Sequence, residues 1–215
     1  MLLTEFDDNR QAIINPEDLH EPLEVFPKIA VSCFSRMTFQ RMLDMFPHEL
    51  IYETSIANVA IPIYKLVIDE KELALFNAPV GASACVAILE DIFALGAEKL
   101  VLFGTCGVLD EDIKETSIII PSHALRDEGT SFHYVEASDE IAVNVGVLDR
   151  FRSYLNERQI SHKEGKVWTT DGIYRETSAK LKVRKAAGAI CVDMECSAVA
   201  ALAAYRGFEL CHFFY

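Results

Sequence analysis

Asp193 and Glu195 flank Met194 where a short apolar run, 189–192, meets an alanine-rich segment, 197–205, that Gly207 terminates. A strand period of two carried through this junction puts both carboxylates on one side and the methionine on the other. The two oxygens of a carboxylate can each accept a hydrogen bond from neighbouring hydroxyls, the pattern that a ribose diol offers, and such charge-assisted bonds are strong. The same residues suit a plainer job as well. Asp193 could cap the helix and Glu195 sit in its first turn, where the macrodipole favours negative charge by roughly 0.3–1 kcal/mol. A glycosidase pair is less favoured, because its two carboxyls must stand ~5–9 Å apart across a sugar and here one strand end would hold both.

Other apolar runs also empty into polar clusters. Residues 100–103 lead into Gly104-Thr105-Cys106-Gly107, a glycine-bracketed loop whose backbone N–H groups and Thr105 hydroxyl suit an anion, although such loops are also simple tight turns. The spacing is neither GxGxxG nor GxxxxGK[ST], so it supports neither a dinucleotide fold nor a P-loop. A strand over 117–120 runs into 121–134, read either as a functional loop or as a polar surface turn. A strand over 166–168 delivers Thr169 to Thr177. Gly81 permits close backbone approach, and Ser83 is a candidate cap for the helix over 85–95. The loop 33–36 ends on a single cation, Arg36.

The elements that must position these clusters follow from periodicity. A first strand over 28–34 precedes a helix over 39–46 that ends at Pro47. Residues 51–52, 57–68 and 73–80 alternate apolar and polar and read as antiparallel strands, so the sheet is expected to be mixed. Helices follow from 142 or 144 to 157 and over 178–187, the latter basic on its solvated face. Strands and helices alternate with short connections and without repeats. This indicates one α/β domain over 1–215, with 1–28 an irregular, proline-punctuated lead-in.

The chain has 215 residues, 51% hydrophobic and 25% charged, which excludes disorder, and no apolar run reaches the ~20 residues of a spanning helix. The acidic N-terminus lacks the basic start and apolar core of a signal peptide. Six scattered cysteines show neither CxxC nor zinc spacing, so reduced thiols in a soluble cytoplasmic protein, with no metal site, are expected. A net charge of −13 with no basic block argues against nucleic acid and membrane as partners.

Together, Val80-Gly-Ala-Ser-Ala, Phe103-Gly-Thr-Cys-Gly, Leu125-Arg-Asp-Glu-Gly-Thr-Ser, Trp168-Thr-Thr-Asp and Val192-Asp-Met-Glu-Cys resemble the nucleoside phosphorylase superfamily, which holds purine nucleoside and uridine phosphorylases. The resemblance covers roughly residues 28 to 215. It implies a three-layer α/β/α fold around a central twisted mixed sheet. It also implies cofactor-free, phosphate-dependent cleavage of a nucleoside to base and ribose 1-phosphate, by a homo-oligomer that is dimer-based and extends up to a hexamer. By position, Asp193, Met194 and Glu195 look like the ribose residues, Gly104, Thr105 and Arg36 the phosphate residues, and Cys106, Gly107, Thr170 and Ile173 the base residues. Three departures accompany the resemblance. Leu102 stands where the family's phosphate arginine is usual, and residues 33–36 replace a GDPxxR-type loop. Ile173 stands where many members stack an aromatic ring. The family's base-protonating aspartate would fall beyond Tyr215, so the chain is expected to be truncated relative to the family. The alternatives are a nucleoside hydrolase of the same fold, with water replacing phosphate, and a nucleoside-binding homologue without turnover.

Overall fold

The computed structural model describes residues 2–114 and 117–215; Met1, the first residue of the lead-in, lies outside them. In chain order the elements are α1 (Pro16–Leu19), β1 (Ile29–Cys33), α2 (Arg36–Met45), β2 (His48–Ile56), β3 (Val59–Ile68), β4 (Lys71–Asn77), α3 (Ala82–Ala94), β5 (Lys99–Gly104), β6 (Gly107–Val108), β7 (Ile118–Asp127), β8 (Glu140–Ala142), α4 (Leu148–Glu157), β9 (His162–Thr170), α5 (Ser178–Ala186), β10 (Ala189–Asp193), α6 (Cys196–Arg206) and β11 (Glu209–Phe214). Among the described residues these strands form one mixed sheet in the order β2-β3-β4-β1-β5-β11-β7-β9-β10-β6, with β8 paired to β7. The mixed α/β expectation holds.

Alternation along the central strands decides what each face buries. In β1 and β5, Ala30, Leu100 and Leu102 join the core beneath α3 and α6, whereas Val31 and Cys33 join Phe39 and Leu43 of α2 on the other face, with Val101 and Phe103 packed against them. α6 buries every residue from Cys196 to Ala203, which its run of small side chains permits. It stops at Gly207, whose φ of 81° is the left-handed conformation that ends helices. β11 joins the two halves of the sheet, parallel to β5 throughout and antiparallel to β7 through Phe214 and Ile119.

Several local readings are corrected. Residues 121–127 belong to β7 rather than to a loop. The register shifts between Pro121 and His123, and such a bulge is where a sheet tolerates proline. β9 is nine residues long, not three, because the segment from His162 to Lys166 pairs with β7 on either side of that bulge. The helix expected from 142 or 144 starts at Leu148. Asn144 instead takes a positive φ of 56° and braces β11, donating to the carbonyls of Pro121 (3.0 Å) and His212 (2.9 Å) and accepting from the His212 N–H (2.6 Å). Ser83 lies inside α3, whose N-cap is Gly81 with φ 103°. The lead-in holds α1 and a 3-10 turn at Leu2–Thr4, and it docks through His20, which bonds Tyr52 and pairs with Asp91 at 3.1 Å.

Candidate functional site

Segments that leave the C-terminal ends of β1, β4, β5, β9 and β10 wall a cleft of about 430 Å³. Strand ends of this kind are where open α/β sheets bind ligands, because side chains and loop amides converge there without disturbing the core. β1 contributes Phe34, β4 Val80, and β5 the loop residues Thr105, Cys106 and Gly107. Ile173 and Glu176 come from the segment after β9, and Val192 to Glu195 from the end of β10.

Local packing forces the shape of the loop. A Cβ on Gly104 would stand 2.7 Å from Cδ2 of Phe34, and one on Gly107 would stand 2.8 Å from Cγ1 of Val192. Both glycines are therefore required by close approach of neighbouring side chains. Thr105 is exposed between them.

Asp193 faces inward, onto the start of α6. Its Oδ2 accepts from the N–H groups of Glu195 (3.0 Å) and Cys196 (2.7 Å), and its Oδ1 accepts from the Thr169 hydroxyl (2.7 Å). The N-cap of α6 is Glu195, whose own side chain makes no capping bond, so Asp193 at the end of β10 satisfies the first N–H groups of the helix from two residues upstream, and Thr169 Oγ1 reinforces this by accepting from Ser197 N–H at 3.1 Å. The Ser197 hydroxyl donates to buried Glu128 at 2.8 Å, and Glu128 also accepts from Ser131 N–H. Glu195 points the other way. Its Oε1 accepts from the Gly81 N–H at 2.6 Å, which ties α6 to the start of α3.

Burial, with the Asp193 charge adding to it, pushes the Glu195 carboxyl up to about 8, against the Gly81 hydrogen bond. Burial raises Asp193 as well, but hydrogen bonds from Glu195, Thr169 and Cys196 oppose it. Two buried carboxyls that raise one another do not both ionise freely, and the hydrogen bonds onto Asp193 favour its charged form over that of Glu195. Hydrogen-bond donors placed against Glu195 would favour its ionised form.

Of the residues singled out from the sequence, Met194, Glu195, Asp193, Thr105, Cys106, Gly107 and Ile173 line one cleft, whereas Gly104 is buried against the Phe34 ring and is not among the wall residues. Thr170 is buried behind it, accepting from Gly172 N–H at 3.3 Å, and is not among the wall residues. Arg36 is the exposed first residue of α2 and also lies outside the wall, while Leu102 is fully buried in the core. No lysine or arginine lines the cleft among the described residues, whereas Glu176, Asp193 and Glu195 do. Thr169, Glu128 and Ser197 escaped the sequence reading as supports, although all three sit within or beside the quoted motifs. Gly81 was singled out as permitting close backbone approach, but nothing in the sequence named Glu195 as the group that its N–H meets. No cluster suited to a metal ion occurs among the described residues.

The Phosphorylase superfamily profile matches residues 28–213. The guanosine phosphorylase of Halorubrum lacusprofundi is 23% identical over 147 residues, which is 67% of this chain and 61% of that protein. A DeoD-type purine nucleoside phosphorylase of Brevibacillus brevis is 31% identical over 110 residues, 51% of this chain and 47% of that protein. The matches thus span about half to three-fifths of these relatives. Among solved structures, uridine phosphorylase from Vibrio fischeri ES114 superposes with a TM-score of 0.80 at 18% identity, covering 95% of this chain and 84% of that one. Purine nucleoside phosphorylase from Toxoplasma gondii in complex with immucillin-H gives 0.75 at 18% identity, covering 91% and 82%. At these identities the structural likeness concerns the fold.

Proposed function

Since the chain belongs to the Phosphorylase superfamily, we propose that its cleft takes a nucleoside and cleaves the N-glycosidic bond with phosphate, releasing a purine or pyrimidine base and ribose 1-phosphate. The observation that carries this reading is the shared wall of Glu195, Met194 and the Thr105–Cys106–Gly107 turn around one cleft of about 430 Å³. Glu195 accepts from the ribose hydroxyls, and Met194 packs on the sugar. Asp193 holds Glu195 and the helix start in place. The Thr105 hydroxyl and the loop amides receive the phosphate, while Cys106, Gly107 and Ile173 bound the base, with Thr170 behind them. Bond cleavage builds positive charge on the sugar, so an anion beside it lowers the barrier. The reaction uses inorganic phosphate and no organic cofactor, and the chain works as a cytoplasmic homo-oligomer.

Incubating the chain with a panel of purine and pyrimidine nucleosides, with and without phosphate, and measuring free base tests the reading. Base that appears only with phosphate is the expected result, and no base under either condition overturns it.

A second reading, hydrolysis, is favoured by one specific feature. Leu102 is buried in the core and Arg36 lies outside the wall, so the described residues supply the cleft with no cation to hold phosphate. Base release that is indifferent to phosphate would select water as the nucleophile.

A further inference from the structure

Glu128 is a third buried carboxyl behind the cleft, and the nucleoside reading makes no use of its charge. It follows β7 directly, beside Asp127, yet the two neighbours meet different surroundings. Asp127 accepts from Lys180 Nζ at 3.0 Å and stands 3.3 Å from Arg184 Nη2. Among the described residues Glu128 meets no cation and accepts only from the Ser197 hydroxyl (2.8 Å) and the Ser131 N–H (2.9 Å). The hydrogen bonds onto Asp193 and Glu195 likewise come from neutral groups, the Thr169 hydroxyl and the N–H groups of Glu195, Cys196 and Gly81.

These bonds join the three carboxyls into one path. Ser197, fully buried in the first turn of α6, donates its hydroxyl to Glu128 and its N–H to Thr169 Oγ1 at 3.1 Å. Thr169, near the end of β9, donates to Asp193 Oδ1 at 2.7 Å. Asp193, at the end of β10, accepts from the N–H groups of Glu195 and Cys196, and Glu195 then reaches the cleft wall. The ends of β7, β9 and β10 are thereby tied to the start of α6. Glu128 itself is not among the wall residues.

A buried carboxylate among neutral donors and other carboxyls is costly. Glutamine would fill the same volume and accept from the same hydroxyl at less cost, so the charge at position 128 calls for a role. We propose that Glu128 is a positioning residue of the nucleoside site: through Ser197, Thr169 and Asp193 it fixes the start of α6 from which Glu195 meets the ligand, and its negative charge works against charge on the Asp193–Glu195 pair. Burial raises the Asp193 carboxyl and the Glu128 charge adds to it; burial raises Glu195 and the Asp193 charge adds to that. The other titratable groups around the pair are Cys85 of α3 and Cys196 of α6, whose thiols burial keeps protonated, Cys191 of β10, Asp171 after β9 and, on the cleft wall, Cys106 and Glu176. A neighbouring anion holds protons on a carboxyl pair, so removing the Glu128 charge lets the pair lose them at lower pH. The placing of a ligand on Glu195 rests on the proposed nucleoside function, whereas the link from Glu128 to the pair does not.

The test compares the full chain with Glu128→Gln, which removes the charge and keeps an acceptor for Ser197, and with Ser197→Ala, which breaks the path. Thermal melts report folding, and Ser197→Ala carries the positional arm on its own if Glu128→Gln does not fold. Carbon-detected NMR of the carboxyls without ligand should show the Asp193–Glu195 pair of Glu128→Gln titrating at lower pH than in the parent. Calorimetric titration with guanosine and with uridine should show the pH profile of affinity moving toward acid in Glu128→Gln, which a brace without electrostatic effect would not produce. In Ser197→Ala affinity should fall roughly 2- to 10-fold, the range that one hydrogen bond supplies, and the Glu195 and Cys196 amides should exchange hydrogen faster. An unmoved carboxyl titration, or parental affinity and amide exchange in folded Ser197→Ala, overturns the inference and leaves the nucleoside reading intact. A moved titration with an unmoved affinity profile also overturns it, because the charge then does not reach the ligand. A parent that binds neither nucleoside counts against the nucleoside reading, and the ligand-free titration and amide exchange then decide the Glu128 link by themselves.

Discussion

The Gly81 N–H donates to the Glu195 carboxyl oxygen at 2.6 Å, so the starts of α3 and α6 meet on one side chain that lines the cleft. Glu195→Gln keeps the acceptor for Gly81 but removes the negative charge that a ribose diol would use. A hydrogen bond to a charged group contributes ~1.5–3 kcal/mol, so nucleoside kcat/KM should fall roughly 10- to 100-fold while the fold persists. Steady-state kinetics beside thermal melts measure both. An unchanged kcat/KM would remove Glu195 from the sugar site.

The raised carboxyl of Glu195 also sets a pH dependence of stability. Its folded value of about 8 lies above the ordinary 4.5, so the native state holds a proton that the unfolded chain has lost. The contribution is complete below pH 4.5 and disappears as pH rises through about 8. Denaturant midpoints of the unliganded chain should decline across that window, and those of Glu195→Gln should decline less. Parallel slopes in the two proteins would contradict the assignment of the proton to Glu195.

His212 supplies the opposite slope. It is fully buried on β11, neither ring nitrogen has a hydrogen-bond partner among the described residues, and burial holds it down at about 3. The unfolded chain binds a proton near 6.5 that the native chain refuses, so stability is lost as pH falls from 6.5 toward 3, by up to a few kcal/mol. His212→Leu retains the backbone bonds to Asn144 and should move the acid unfolding midpoint to lower pH. An unmoved midpoint would assign acid unfolding to other groups.

Much of this architecture is legible in the sequence, for reasons that differ by region. Residues 100–103 and 189–192 are unbroken apolar runs because both faces of those strands are covered, and Gly207 marks a helix end that needs a left-handed residue. β7 was hidden because Pro121 and a run of polar side chains resemble a loop, and only pairing on both sides keeps them extended. At the site, the sequence left Asp193 between sugar ligand and helix cap. In the structure Glu195 is the N-cap, and Asp193 is committed to holding the start of α6 from two residues earlier, since its oxygens already accept three hydrogen bonds from Glu195, Cys196 and Thr169. The Gly81 to Glu195 bond spans 114 positions, and no local pattern encodes so distant a partner.

The contact between Gly104 and Phe34 predicts a coupled pair. A methyl at Gly104 would lie 2.7 Å from the Phe34 ring, so Gly104→Ala should destabilise the chain by roughly 1–3 kcal/mol through overpacking. Phe34→Ala removes the ring and should rescue part of that loss in the double variant, giving a coupling of about 0.5 kcal/mol or more. Chemical denaturation of the four proteins completes the cycle. Additive losses would mean that the loop accommodates the methyl by moving elsewhere.

Asp193→Asn separates the support of the site from contact with ligand. The amide can keep one acceptor oxygen, but its NH2 must face either the Glu195 and Cys196 N–H groups or the Thr169 hydroxyl. The cap is therefore weakened, at a cost of roughly 0.5–2 kcal/mol. The substitution also removes the charge that adds to burial in raising Glu195, so Glu195 should titrate at lower pH, which carbon-detected NMR of the carboxyl resolves. If Asp193 acts only by positioning, the pH profile of nucleoside affinity should shift toward acid, and affinity at high pH, where Glu195 is ionised in both proteins, should match the parent within a few fold. A large loss of affinity at high pH in a folded Asp193→Asn protein would instead place the Asp193 carboxylate on the ligand.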